Sequence, residues 1–169
     1  MTGDVKLRAL VREDIETLRA LVNDPAVMKT SNTFRPISDV EQLAWFEAMV
    51  KNDRAVWFGI SSMDRLVGTC CLVDIDWTAR QAELRIRIEK ASWGTGIGTA
   101  ACRALLEHAF QQLNLERVWL RVFDVNPRAR AMYEKLGFVV EGTLRRAAFV
   151  DGALTDVILM GLLKSEHAR

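Results

Sequence analysis

The chain has 169 residues, half of them hydrophobic, a size that suits one compact domain with a substantial buried core. Lysine plus arginine number 23 against 22 aspartate plus glutamate, so net charge draws the protein neither to nucleic acid nor to an anionic membrane, and a small-molecule or single-protein partner fits better. The three cysteines lack C-x-x-C spacing, and Cys70 and Cys71 are neighbours whose side chains point to opposite faces of a predicted strand, which argues against a disulfide framework or a zinc site.

From Met1 to Val11 there is no apolar core of a signal peptide, and no apolar run approaches a membrane span, so a cytoplasmic protein is expected. Val5, Leu7 and Ala9 alternate as a short strand; Val11, Ile15, Leu18 and Val22 then fall at helical spacing until Asn23-Asp24-Pro25 stops the pattern. Lys29 to Pro36 has no periodicity and carries Thr30, Ser31, Asn32 and Thr33, a predicted loop that could border a substrate. Ser38 followed by Glu41 is a capping box that opens a second helix through Val40, Leu43, Ala44 and Val50. Val56, Phe58 and Ile60 lead into a turn at Ser62 to Asp64, and Leu66 to Ile75 completes a hairpin. The cleanest strand follows, with Ala82, Leu84, Ile86 and Ile88 on one face and Glu83, Arg85 and Arg87 on the other. A helix from about Gly96 to Leu113 carries a stripe of Cys102, Leu105, Leu106, Ala109 and Leu113. Val118, Leu120 and Val122 form the next strand; Asn126-Pro127 opens a helix that Leu136-Gly137 closes. Two strands between Phe138 and Leu163 are joined by Asp151-Gly152, a strong hairpin signal. This order, strand, two helices, three antiparallel strands, helix, strand, helix, two strands, predicts one α+β domain over residues 1–169, with a mixed central sheet of about seven strands and helices on both faces.

Trp93-Gly94-Thr95-Gly96-Ile97-Gly98-Thr99 lies between a strand and a helix, where free backbone N–H groups and the positive end of the helix dipole favour a phosphate. A plain structural turn explains glycines too, but the strand-to-helix placement shifts the reading toward anion binding. Gly96-Ile97-Gly98-Thr99-Ala100-Ala101 also satisfies the G-x-G-x-x-A dinucleotide form, with Asp124 ending the following strand. A doubly wound domain, however, needs further strand and helix units, whereas this chain runs on into a long hairpin, and no lysine occupies the P-loop position.

The loop, with Trp93, Gly96 and Gly98 aligned on a Gln/Arg-x-x-Gly-x-Gly/Ala signature, and the block from Asp124 to Phe138 containing Asn126, Ala129, Met132-Tyr133-Glu134-Lys135-Leu136-Gly137-Phe138, resemble the GNAT superfamily of acyl-CoA N-acyltransferases. Trp93 departs from that signature, although its main-chain N–H remains available to a phosphate. The resemblance covers essentially the whole chain, and the final hairpin with Glu141-Gly142 looks like the branch of ribosomal-protein N-terminal and spermidine acetyltransferases. It implies the GNAT fold and transfer of an acetyl group from acetyl-CoA to a primary amine by direct attack in a ternary complex. A catalytically silent acyl-CoA-binding regulator and a NAD-type oxidoreductase are the readings from other classes.

The resemblance also implies roles. The pantetheine arm would pair with main-chain groups of Ile86, Arg87 and Ile88, whose Ile86 and Ile88 side chains read as ordinary core, and Trp93, Gly94, Thr95, Gly96, Ile97, Gly98 and Thr99 would hold the phosphates. Asn126 reads as a helix cap before Pro127 and, alongside that, as a cofactor contact. Arg128 and Arg130 flank that helix start, open to the nucleotide phosphate or to solvent, and Arg130 is kept with the cofactor set. Tyr133, the only tyrosine, is either a core aromatic or the acid that protonates the departing CoA thiolate. Glu83 is either a surface partner of Arg85 or the base that relieves the acceptor ammonium of its proton, directly or through water. His108 and His167 have no ligand-spaced neighbours, so no metal is expected. Expected partners are acetyl-CoA and an amine acceptor, with a homodimer open and neither nucleic acid nor membrane. The acceptor itself, a protein α-amine, a polyamine, an amino sugar or an amine antibiotic, is undecided, because the flanking loops, Lys29 to Pro36 and Val150 to Leu154, carry no decisive charge pattern. Asp74 and Asp76 could attract a cationic amine or simply be solvated.

Overall fold

The computed structural model describes residues 5–31 and 33–167. Strands β1 (Val5–Arg8), β2 (Val56–Ser62), β3 (Arg65–Asp76), β4 (Gln81–Ile88), β5 (Arg117–Phe123), β6 (Val139–Val150) and β7 (Ala153–Leu163) form one sheet in the order β1-β2-β3-β4-β5-β7-β6. Every neighbouring pair is antiparallel except β4 and β5, which run parallel. The α-helices are α1 (Ile15–Asn23), α2 (Pro25–Ser31), α3 (Asp39–Val50), α4 (Ile97–Glu107), α5 (Pro127–Lys135) and α6 (Lys164–His167) among the described residues. The sheet has the seven strands and mixed direction expected from the element order.

Three helices, not two, precede β2. Asp24 Oδ1 accepts hydrogen bonds from the backbone N–H of Ala26 at 2.7 Å and Val27 at 3.3 Å, and Pro25 stands at the first helical position, so Asp24-Pro25 ends one helix and starts the next. The predicted loop from Lys29 is therefore helical through Ser31, and Asn32 lies outside the described residues. At α3 the capping box forms as expected: Ser38 Oγ accepts from Glu41 N–H at 3.2 Å and Glu41 Oε2 accepts from Ser38 N–H at 3.1 Å. Val40 and Val50 of that helix are exposed, and Gln42 is its buried residue. The helix beginning at Ile97 does not keep one period to Leu113, because a wider π turn occupies His108–Gln112 and brings Ala109 and Phe110 both into the core.

The β2–β3 and β6–β7 hairpin turns use left-handed backbone at two successive residues, Met63 and Asp64 (φ 49° and 59°) and Asp151 and Gly152 (φ 50° and 82°), as the twist of the flanking strands favours. The sheet then has two unlike faces. On one, Cys70, Leu72, Ala82, Leu84, Leu120 and Met160 share a core with Cys102, Leu105 and Phe110 of the α4 segment and with Tyr133 of α5. Leu18, Leu21 and Val27 of α1 and α2 are buried outside that cluster, and these helices cover the opposite face, which carries Glu83, Arg85 and Arg87.

Candidate active site

Strands β4 and β5 start as an ordinary parallel ladder and then part. Gln81 pairs with Arg117, Ala82 with Val118 and Glu83 with Trp119, after which the ladder ends, although β4 continues to Ile88 against β3 and β5 to Phe123 against β7. The main-chain groups of Arg85 to Ile88 that face β5 thus have no strand partner. Backbone donors and acceptors seek partners wherever they lie, so this cleft suits an extended, amide-bearing arm laid in as a substitute strand.

The cleft opens onto the glycine loop. Gly94 and Gly96 have φ of 76° and 89°, and Gly96 is the left-handed N-cap of α4, so the chain turns from strand to helix with the first N–H groups of α4 free. At Gly98 a Cβ would stand 3.1 Å from Met132 Sδ and 3.2 Å from Ile88 Cδ1, so α4 packs tightly on α5 and β4 there and a side chain would need both neighbours to give way slightly. Thr95 Oγ1 donates to Ser92 O at 2.8 Å and is committed to the loop, while Ile97 is buried and Thr99 half-buried in the first turn of α4. Trp93, foreign to the signature, is doubly held: its indole N–H donates to Ile88 O at 2.9 Å, and the Arg128 guanidinium lies 4.1 Å over its ring. Arg128 is therefore the arginine that joins α5 to the loop. Arg130 instead pairs along its own helix with Glu134 at 2.9 Å and approaches Asp124 at 4.0 Å. Asn126 Oδ1 accepts from Ala129 N–H at 3.2 Å, so the capping role is met.

Tyr133 is buried on the core face, its ring 5.8 Å from that of Phe138. Burial, seconded by Cys102, pushes its pKa well above the ordinary phenol value, so the hydroxyl keeps its proton at any physiological pH. On the opposite face, where the ladder ends, Glu83 is 2% exposed and not a surface residue. Its carboxylate is gripped by Arg85 Nη2 at 2.6 Å and by Arg121 Nε and Nη2 at 2.9 and 3.1 Å, so Arg121 reaches across from β5 to tie the two strands together at the fork. Burial opposes the charge on Glu83, but the hydrogen bonds and charges of both arginines outweigh it and hold the carboxyl below its usual range.

A family model described as Acetyltransferase (GNAT) domain matches residues 4–139. This chain belongs to the GNAT acetyltransferases. It is similar, at 30% identity over 96% of its length and 88% of the relative's, to a spermidine N(1)-acetyltransferase of Escherichia coli, and at 40% over 60% of its length and 55% of the relative's to the putative ribosomal N-acetyltransferase YdaF of Bacillus subtilis. A crystal structure of spermidine N-acetyltransferase from Vibrio cholerae in complex with CoA and spermine superposes with a TM-score of 0.91, at 29% identity and 98% coverage of both chains.

In this acetyltransferase two residues stand at the site that sequence reasoning had not placed there. Arg121 alternates with apolar neighbours on β5 in the sequence, a pattern that signals a solvent-facing strand residue and gives no hint of Glu83 across the fork. Arg128 was undecided between phosphate and solvent, and only the position of Trp93 under it distinguishes it from Arg130. His108 and His167 stack edgewise or tilted on Phe58 and Phe110, both at 5.1 Å. Among the described residues no group of three or more His, Cys, Asp or Glu is placed to hold a metal ion.

Proposed function

We propose that this protein is an acetyl-CoA-dependent N-acetyltransferase that acts on a small primary amine through a ternary complex, as a single domain in the cytoplasm. The observation that carries the reading is the fork of β4 and β5 opening directly onto a loop whose glycines free the N-terminus of α4. An amide-bearing pantetheine arm fits the edge of Arg85 to Ile88 that has no strand partner, and a pyrophosphate fits the loop from Trp93 to Thr99. The CoA named with the Vibrio cholerae structure supports the donor, and the names of the spermidine-acetylating relatives support a small amine as acceptor.

In the reaction the neutral amine attacks the thioester carbonyl, a C–N bond forms, the C–S bond breaks and the thiolate leaves with the electron pair. Tyr133, protonated by its burial, donates a hydrogen bond to the leaving sulfur. Full proton transfer to a thiol of pKa about 8.5 from a phenol above 10 is uphill, so this hydrogen bond, not a completed transfer, is where the stabilisation arises. The proton of the acceptor ammonium leaves toward Glu83 through water, since both carboxylate oxygens are already bound by guanidiniums. A carboxyl held low in pKa relays such a proton to solvent and does not store it.

Thermal shift tests the donor assignment, because a ligand that binds only the folded state stabilises it. Acetyl-CoA and CoA are expected to raise Tm while NAD and NADP leave it unchanged; the reverse pattern contradicts the proposal. CoA release against a panel of amines then separates an enzyme from a silent acyl-CoA-binding regulator, which would release none.

A further inference from the structure

The acceptor side of the fork carries more positive than negative charge. Arg85, Arg87 and Arg121 stand against two carboxylates, Glu83, which is bound by two of the three arginines, and Asp74, which comes within 3.8 Å of Arg85. Asp76 is turned back onto its own bend, accepting from the N–H groups of Thr78 and Ala79 at 2.9 and 2.8 Å. Farther along β5 a cavity of about 320 Å³ is lined by Lys29, Phe123, Arg128 and Asp151 among others, and there Asp151 is matched by Lys29 at 3.0 Å while Arg128 lies over the Trp93 ring. At the fork itself the described carboxylates Glu83, Asp74 and Asp76 are each already engaged.

Arg87 is the exception on the positive side. It is half-buried, its Nε is shut from solvent without a hydrogen-bond partner, and no described side chain forms an ion pair with it. Leaving a buried guanidinium N–H unmatched is costly, and an oxyanion held by two parallel N–H bonds is a partner that a guanidinium edge fits well. Arg87 lies two residues, or about 7 Å, beyond Arg85 and on the same face of β4, so an anion at Arg87 and an amine near the fork are separated by the span of a short bifunctional molecule.

We infer that the acceptor is a primary amine that also carries an oxyanion, a carboxylate or a phosphate, and that the Arg87 guanidinium receives that anion. The inference rests on the N-acetyltransferase reading and narrows its substrate class. The same cationic face lowers the pKa of an approaching ammonium, which enlarges the fraction of neutral amine able to attack, and the oxyanion of the acceptor offsets the repulsion that would otherwise keep it out. A polyamine has no such group and meets the repulsion at each of its charges.

The test is the CoA-release rate of the full-length protein at saturating acetyl-CoA with matched acceptors: amino acids against their amides, phosphoethanolamine against ethanolamine, and spermidine. The wild-type kcat/KM is expected to be about 10- to 100-fold higher for an anion-bearing amine than for its uncharged match, the carboxylate and phosphate pairs showing which oxyanion is read. Arg87→Met should remove most of that preference through KM for the acceptor, and Arg87→Lys should retain part of it. Faster turnover of spermidine or of the amides by the wild type overturns the inference and leaves the acetyltransferase reading standing, and this arm needs no variant to fold. An unchanged preference in a folded Arg87→Met overturns it as well. No CoA release with any amine overturns both.

Discussion

The two faces of the same pair of strands do opposite work. On the core face of β4 and β5, Ala82, Leu84, Val118 and Leu120 are apolar and buried, and the polar group that α5 brings to them, the Tyr133 hydroxyl, is kept neutral by its surroundings. On the other face, at the same fork, Glu83, Arg85 and Arg121 form a charged knot in which the two guanidiniums hold the Glu83 carboxylate ionised. On the proposed reading the donor side combines main-chain pairing with one neutral hydrogen-bond donor and, at the loop, the Trp93–Arg128 contact. On the same reading the acceptor side is built from side chains, so substrate choice can change there without disturbing the main-chain pairing proposed for the donor.

Substitutions on the two faces should therefore fail differently. The largest effect is expected at Tyr133→Phe, which keeps the ring packed against Phe138 and removes only the hydroxyl. It should lower kcat by about 10²- to 10⁴-fold at every pH while acetyl-CoA binding, followed by thermal shift, stays near wild type. A fall in Tm that tracks the loss of rate would make Tyr133 a packing residue. A smaller effect separates the two arginines of α5. Arg128→Ala should raise KM for acetyl-CoA by about ten-fold, through loss of the cation that Trp93 holds over the loop, whereas Arg130→Ala, which breaks an exposed pair with Glu134, should change it by less than about two-fold. Equal effects would mean that the Trp93 contact has no part in holding the donor.

Much of this division was readable in the sequence. The alternation from Ala82 to Ile88, the strand-to-helix placement of the glycines and the Asn126-Pro127 cap each depend on local chemistry, and each is found where the spacing puts it. The misses came where tertiary contacts decide. Pro25 reads as a helix stop until Asp24 is seen capping the next helix, and the π turn at His108–Gln112 breaks a period that the stripe from Cys102 to Leu113 continues unmarked. Glu83 among arginines has the pattern of a solvent-facing strand edge. Its burial comes from helices distant in the chain and from Arg121, 38 residues away, neither of which the local pattern encodes.

The most direct test of the division is the pH dependence of kcat/KM for Glu83→Gln beside the wild type. Glu83 has a depressed pKa, so it is ionised throughout the working range and its own titration does not shape the profile above pH 5. What changes with pH is the acceptor, an amine of pKa about 10.4 in water that is almost wholly protonated at pH 7. If Glu83 relays its proton, the variant should lose about ten-fold at pH 7 and converge on the wild type as the pH approaches 10 and solvent supplies free amine. Parallel profiles, with the same loss or none at every pH, would contradict the account by removing Glu83 from the path of the proton.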